Sequence, residues 1–266
     1  MKKILVICLI TIGLSEGWAQ SLCHSSPVFY LEDGWEAFIH TVKAPTRWKT
    51  REYIILGVAA GGIGIAVSQD EAFQDWIIRN PGPVKDGLAD VGEAMGNVYY
   101  VSGAMALSYG GACLFRQERF SEAVWVTTKS VIISALITHT LKNIINRQRP
   151  SEGQFPDADQ WFEGRPFEKE NKSFPSGHTT TAFAIASGLS HYYHDQWWVG
   201  AVAYPLAGLT AWSRMYHTKH WLSDVLAGAV IGTFTGKVVN TQENLRVSVL
   251  PSSFNGSLLL GLHYSF

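Results

Sequence analysis

The feature that most constrains this 266-residue chain is a succession of charge-free, glycine-containing apolar segments of helical length. They cover residues 53–69, 94–115, 173–194 and 196–213, with shorter ones over 130–141 and 225–236. None alternates apolar and polar residues with period two, so each reads as a helix. Two of the runs are long enough to span a bilayer outright, and the others need their flanks, since a span takes about 20 residues. Gly57 and Gly61, like Ala60 and Gly64, stand four residues apart, a spacing that lets helices approach closely in lipid. The same small residues suit a soluble bundle, but length and spacing together favour membrane association. Hydrophobic residues make up 47% of the chain and charged residues only 16%, with a formal net charge of −1. That balance excludes a disordered chain, a coiled coil and a nucleic-acid binder that works by bulk positive charge.

The two ends differ from this middle. Lys2 and Lys3 precede an apolar run from Ile4 to Leu14, and Gly17 and Ala19 offer small side chains for cleavage before Gln20. Residues 1–19 therefore read as a secretory signal peptide, too short in its apolar part to span a membrane. Leu22 stands where a lipoprotein signal needs a small residue before Cys23. Export to a bacterial cell envelope is expected, with residues 20–49 as an N-terminal segment and 50–240 as the main helical domain. Once Cys8 leaves with the signal, Cys23 and Cys113 remain, and the expectation is two unpaired, mostly buried thiols. Residues 241–266 change character. Leu245, Val247 and Val249 alternate with polar partners, Asn255-Gly256 is a hairpin turn signal, and alternation resumes from Leu258 to Phe266. A short C-terminal β-hairpin packed on the helical body is expected, because one hairpin cannot close a barrel.

Three clusters carry chemistry in this charge-poor chain. In the first, Lys142 and Arg149 are seven residues apart, which on a helix places both on one face, and Pro150 ends the helix near Arg149. Two cations at the end of an apolar bundle suit a small dianion, although a solvated basic helix end would look the same. The second is Pro175-Ser176-Gly177-His178 ahead of an apolar run, a helix start whose free N–H groups can cradle an anion. It follows a polar stretch from Ser151 to Phe174, and a loop of that length is more often functional than idle. The third is Ser213-Arg214, then His220, then Asp224. One helical turn separates His220 from Asp224, so the carboxylate can accept from imidazole Nδ1–H and leave Nε2 free as nucleophile or ligand. His217, His220 and Asp224 also have metal-ligand spacing on one helical face, against which Arg214 and Lys219 argue, because fixed cations repel a metal and attract an anion.

Together the three clusters closely resemble the type 2 phosphatidic acid phosphatase (PAP2) superfamily, which includes vanadium haloperoxidases and bacterial nonspecific acid phosphatases. Its pattern is Lys, six residues, Arg-Pro; then Pro-Ser-Gly-His; then Ser-Arg, five residues, His, three residues, Asp. Every position is matched, by Lys142, Arg149, Pro150, Pro175, Ser176, Gly177, His178, Ser213, Arg214, His220 and Asp224. The resemblance covers roughly residues 50–240. It implies an all-α, PAP2-type helical bundle with the site at one end. It also implies phosphate binding by Lys142, Arg149, Ser176, Gly177 and Arg214, attack by His220 steadied by Asp224, and proton transfer by His178. No metal or other cofactor is implied, since cations do the electrostatic work. The expected function is hydrolysis of a phosphate monoester or diphosphate of a membrane lipid, through a phosphohistidine and on the periplasmic side. Candidate substrates are phosphatidate, phosphatidylglycerol phosphate, undecaprenyl diphosphate and lipid A. The alternatives are an acid phosphatase for small soluble esters, a vanadium haloperoxidase and a phospholipid-binding protein without activity. Trp161, Trp197, Trp198 and Trp221 are candidates for the membrane interface.

Overall fold

A computed structural model describes residues 23, 27–79, 81–152, 157–162, 172–244, 248–254 and 257–263. The signal segment 1–19, most of the polar stretch before Phe174 and the Asn255-Gly256 turn lie outside the described residues. Among the described residues there are nine α-helices: α1 Pro27–Lys43, α2 Thr50–Val67, α3 Asp70–Ile78, α4 Pro83–Gly96, α5 Val98–Leu114, α6 Glu118–Ile145, α7 Gly177–Tyr192, α8 Trp197–Tyr216 and α9 Leu222–Asn244. A 3-10 turn over Ala44–Arg47 joins α1 to the rest. Strands β1 Ser248–Phe254 and β2 Ser257–His263 pair antiparallel, from Ser248 opposite His263 to Phe254 opposite Ser257.

The bundle is built around α6 to α9, with α7 and α9 in the most extensive contact. Their seam is lined by Gly228, Gly232 and Gly236, one glycine per turn of α9. A Cβ on Gly228 would lie 2.6 Å from the Ser176 carbonyl oxygen, and one on Gly236 2.6 Å from Ser187 Cβ. Only glycine admits that approach. Gly92 and Gly96 of α4 do the same against Leu209 and Thr210 of α8 and against His178. The buried residues are correspondingly small, with Ala182, Ala186 and Ala207 forming one cluster between α7 and α8. Several buried hydroxyls are satisfied within their own helices: Thr127 donates to the Ala123 carbonyl at 2.7 Å and Thr235 to Ile231 at 2.9 Å.

Large apolar side chains instead face outward, among them Val58, Ile65 and Leu107, each at least 70% exposed. By length and composition three helices can cross a membrane: Thr50–Val67, Glu118–Ile145 and Leu222–Thr241. These features point to a membrane protein. The two longest charge-free runs are not these spans. Residues 94–115 break at Asn97, whose side chain accepts the Tyr99 N–H at 3.0 Å and starts a new helix. Residues 173–194 give only the 16 residues of α7. The spans α6 and α9 each carry a charge near the site, Lys142 and Asp224, so a search for uninterrupted apolar runs shortens both.

Three further expectations are corrected. Among the described residues Gly57, Gly61 and Gly64 face no neighbour, so the spacing read on α2 serves no helix contact there. Cys23 and Cys113 are not free thiols: they form a disulfide across 90 residues of sequence. The Tyr30 hydroxyl bonds that of Tyr109 at 2.8 Å, which brings the start of α1 beside α5 and so Cys23 beside Cys113. Trp221 is buried rather than interfacial, and its indole N–H donates to the Gln148 carbonyl at 2.8 Å. Trp161 packs its ring over Arg147, whereas Trp197 and Trp198 are exposed at the start of α8.

Candidate active site

Four helix ends meet at one end of the bundle: the last turns of α6 and α8 and the first turns of α7 and α9. Helix α6 stops at Ile145, where Asn146 adopts a left-handed conformation (φ 44°) and its N–H returns to the Lys142 carbonyl. Lys142 and Arg149 therefore do not share a helix face as their spacing alone suggests, and Arg149 lies in the loop before Pro150, where the proline is expected to release it. The chain folds back instead, and both reach one carbonyl. Lys142 Nζ donates to Lys172 O at 2.6 Å and Ser173 O at 3.1 Å, and Arg149 Nη2 donates to Lys172 O at 3.3 Å.

Ser176 caps α7 and is fully buried, and its N–H donates to the Asp224 carbonyl at 3.0 Å. A Cβ on Gly177 would stand 3.8 Å from Lys142 Cε, so this helix start faces the lysine. The free N–H groups there and the neighbouring cations favour an anion. Arg214 is almost wholly buried in the last turn of α8, with Nη1 3.0 Å from Glu93 Oε1 of α4. Its Nε and the Nε2 of His178 are buried without a hydrogen-bond partner among the described residues. Buried donors in that condition are suited to an oxyanion. His178 is held down to about 4, first by burial and then by Arg214, with Lys142 and Arg149 adding to the effect. It is therefore a neutral imidazole at neutral pH.

His220 sits in the turn between α8 and α9, 3% exposed. Its Nδ1 lies 3.6 Å from Asp224 Oδ2 and 3.5 Å from the Ser173 hydroxyl, so the side chains are paired, but longer than a tight hydrogen bond. Burial pushes the His220 imidazole down to about 3, against the pull of Asp224. The imidazole is thus neutral at neutral pH, and a proton on Nδ1, facing Asp224, would leave Nε2 free as a base. Asp224 is fixed from several sides. It accepts the Ser173 hydroxyl, the Trp221 backbone N–H at 2.8 Å and the Arg147 guanidinium at 2.7 Å. The Trp221 bond is half of a capping box, which ties the carboxylate to the start of its own helix.

The metal alternative does not assemble. Tyr216 ends α8, Thr218 turns the chain at φ 55°, and His217 faces α4, with Nδ1 2.9 Å from Glu93 Oε2. Among the described residues no three His, Cys, Asp or Glu side chains are grouped to hold a metal. Every other residue of the expected site is brought to this end. Four participants were not foreseen: Ser173, Glu93, Asp70 and Arg147. Arg147 lies inside the first cluster, and a further charge in so charge-poor a stretch was the available signal. Asp70 and Glu93 come from α3 and α4, with no sequence signal linking them to the motifs.

An apolar groove of about 510 Å³ runs between α7 and α8 from Ala182 and Met95 to Tyr193 and Trp198 at the far end of α7, and none of the expected site residues lines it. Ala182 is one helical turn beyond His178, and Met95 adjoins the Gly96 that packs on it.

Residues 123–247 match the family model described as the PAP2 superfamily. Over that segment the chain is similar to the PAP2 superfamily. Over 76 residues it is 42% identical to the lipid A 1-phosphatase of Porphyromonas gingivalis, an alignment covering 28% of this chain and 17% of that protein. The chain therefore spans less than a fifth of that relative. The crystal structure of Aquifex aeolicus LpxE superposes with a TM-score of 0.51 at 24% identity, covering 64% of this chain and 93% of that one. The transmembrane PAP2-type phosphatidylglycerolphosphate phosphatase of Bacillus subtilis also gives 0.51, at 19% identity, covering 73% and 95%. At these identities the two structures establish the shared PAP2 fold. The matched family segment begins within α6 and takes in all three motifs, whereas α1 to α5 lie outside it.

Proposed function

We propose that this protein is a phosphatase that hydrolyses a phosphate monoester or diphosphate of a membrane lipid through a phosphohistidine. The observation that carries the reading is the convergence of Lys142, Arg149, Arg214 and the α7 start around the buried His220 and the half-buried His178, with an apolar groove that begins one helical turn beyond His178. The cations and backbone N–H groups hold the phosphoryl oxygens and offset the charge that builds on them in the transition state. His220 Nε2 forms a bond to phosphorus as the ester P–O bond breaks. Asp224 balances the positive charge that the imidazole gains.

His178 gives a proton to the departing oxygen, then takes one from the water that cleaves the N–P bond. A bound phosphate dianion supplies the negative charge that counters Arg214, Lys142 and Arg149 and lets His178 carry that proton. The acyl or prenyl chain of the substrate lies along the α7–α8 groove. Phosphatidate, phosphatidylglycerol phosphate, undecaprenyl diphosphate and lipid A all satisfy this description. The Cys23–Cys113 disulfide supports export, because such bonds persist outside the reducing cytoplasm.

Phosphate release from these lipids and from p-nitrophenyl phosphate tests the reading. His220→Ala should abolish turnover of every substrate. His178→Ala should slow the lipid substrates by about 10²–10⁴-fold, the usual contribution of a general acid. It should affect the aryl ester far less, because p-nitrophenolate leaves without a proton. Equal losses on both, or a fully active His220→Ala protein, would mean that the roles are wrong. Equal efficiency on small esters and lipids would remove the groove from the reading.

A further inference from the structure

The carboxylate that serves His220 is braced by Arg147, and through it by Asp70 from outside the three motifs. Arg147 is completely buried, and its five N–H donors make five bonds. Nη1 donates to Asp224 Oδ1 and Ser223 Oγ, each at 2.7 Å. Nη2 donates to Asp70 Oδ2 at 2.6 Å and Ala158 O at 2.8 Å, and Nε donates to Ala158 O at 3.1 Å. The guanidinium lies 4.0 Å from the centre of the Trp161 ring and 5.6 Å from that of Trp221. An arginine so occupied has no donor left for substrate. Asp70, the first residue of α3, completes the cluster. Its Oδ1 accepts the Ser223 N–H at 2.8 Å, and its Oδ2 accepts the Ser223 hydroxyl at 2.6 Å. Both carboxylates and the guanidinium are fully shielded from solvent.

We infer that Asp70, acting through Arg147 and Ser223, is a positioning residue for the His220–Asp224 pair. This rests on the reading of His220 as the nucleophile. One guanidinium shared by two buried carboxylates leaves the cluster with an excess negative charge. That excess faces His220 as its imidazole becomes positive in forming the N–P bond. With Asp70 made neutral, Arg147 pairs with Asp224 alone and cancels the charge that His220 needs. In a buried site this interaction is little screened. Among the described residues Asp70 bonds Arg147 and Ser223 and none of Lys142, Arg149 and Arg214, so phosphate binding is left intact.

The test is Asp70→Asn, nearly the same shape without the charge, assayed for kcat, KM and inhibition by inorganic phosphate beside wild type, Asp224→Asn and His220→Ala. The expected result is a fall in kcat of about tenfold, within the range of coupling in one buried network, with KM and the phosphate inhibition constant changed less than twofold. In the Asp224→Asn background, Asp70→Asn should have less than a twofold further effect. Wild-type kcat, or a fall in kcat matched by weaker phosphate inhibition, overturns the inference. If Asp70→Asn does not fold, judged by its melting curve and elution, Ser223→Ala takes its place and keeps both charges. A threefold fall in kcat with unchanged phosphate inhibition then supports the inference, and unchanged kcat overturns it. A dead His220→Ala beside a normal Asp70→Asn removes this inference alone, whereas an active His220→Ala removes the reading on which it rests.

Discussion

Helices α2 and α9 carry the same sequence device and use it in opposite ways. Each is long and apolar enough to span a membrane, and each has glycines four residues apart. On α9, Gly228, Gly232 and Gly236 face the backbone and side chains of α7, and half of the span is buried. On α2, Gly57, Gly61 and Gly64 face open space, and only 6% of the span is buried. Small-residue spacing permits close approach without requiring it. What separates the two is what the neighbouring helix must deliver. The α9 seam fixes Ser176 and the first turn of α7 relative to His220 and Asp224, whereas α2 presents Ile54, Ile55 and Val58 outward.

The strongest way to break the comparison is to charge the outward face of α2. The wild-type protein should stay with membranes through high-salt and carbonate washes and need detergent. Ile55→Glu with Val58→Glu should shift the protein toward the wash fraction, at a cost of about 3 kcal/mol for each charge near the bilayer centre. Release of the wild-type protein by salt alone would show that α2 does not face lipid.

The next test is on α9. Gly228→Ala places a methyl group 2.6 Å from the Ser176 carbonyl oxygen, a backbone atom that cannot swing aside. Overpacking of this kind costs about 1–3 kcal/mol. Thermal unfolding should shift downward, and inhibition by inorganic phosphate should weaken as the α7 start moves. Unchanged phosphate inhibition would show that the seam does not position the cradle. The smallest effect belongs to Gly61→Ala on α2. Alanine has open space there and a helix propensity better by up to about 1 kcal/mol. Stability should hold or rise slightly with turnover unchanged, and a marked loss would reveal a partner for that face.

The site was largely legible because its chemistry is local. Lys142, Arg149, Ser176, Gly177, His178, Arg214, His220 and Asp224 stand in three short blocks whose residue types already suit an oxyanion. The helical class was legible for the same reason, since long apolar runs without period-two alternation leave few options. Legibility failed where a contact crosses the chain. The Cys23–Cys113 bond depends on α1 meeting α5. The Arg147 brace depends on Asp70, which is 77 residues away in sequence.

By itself, then, the sequence determined an all-helical chain with three anion-seeking motifs, because helix periodicity, caps and charge are properties of neighbouring residues. Only the tertiary structure decided that Lys142 and Arg149 meet by folding back onto one carbonyl, not along one helix, and that His217 turns to Glu93 and away from His220. It alone decided that the glycines of α9 are a seam and those of α2 are not. The physical reason is common to all three: each depends on which distant backbone comes within a few ångströms, and local pattern carries no information about that.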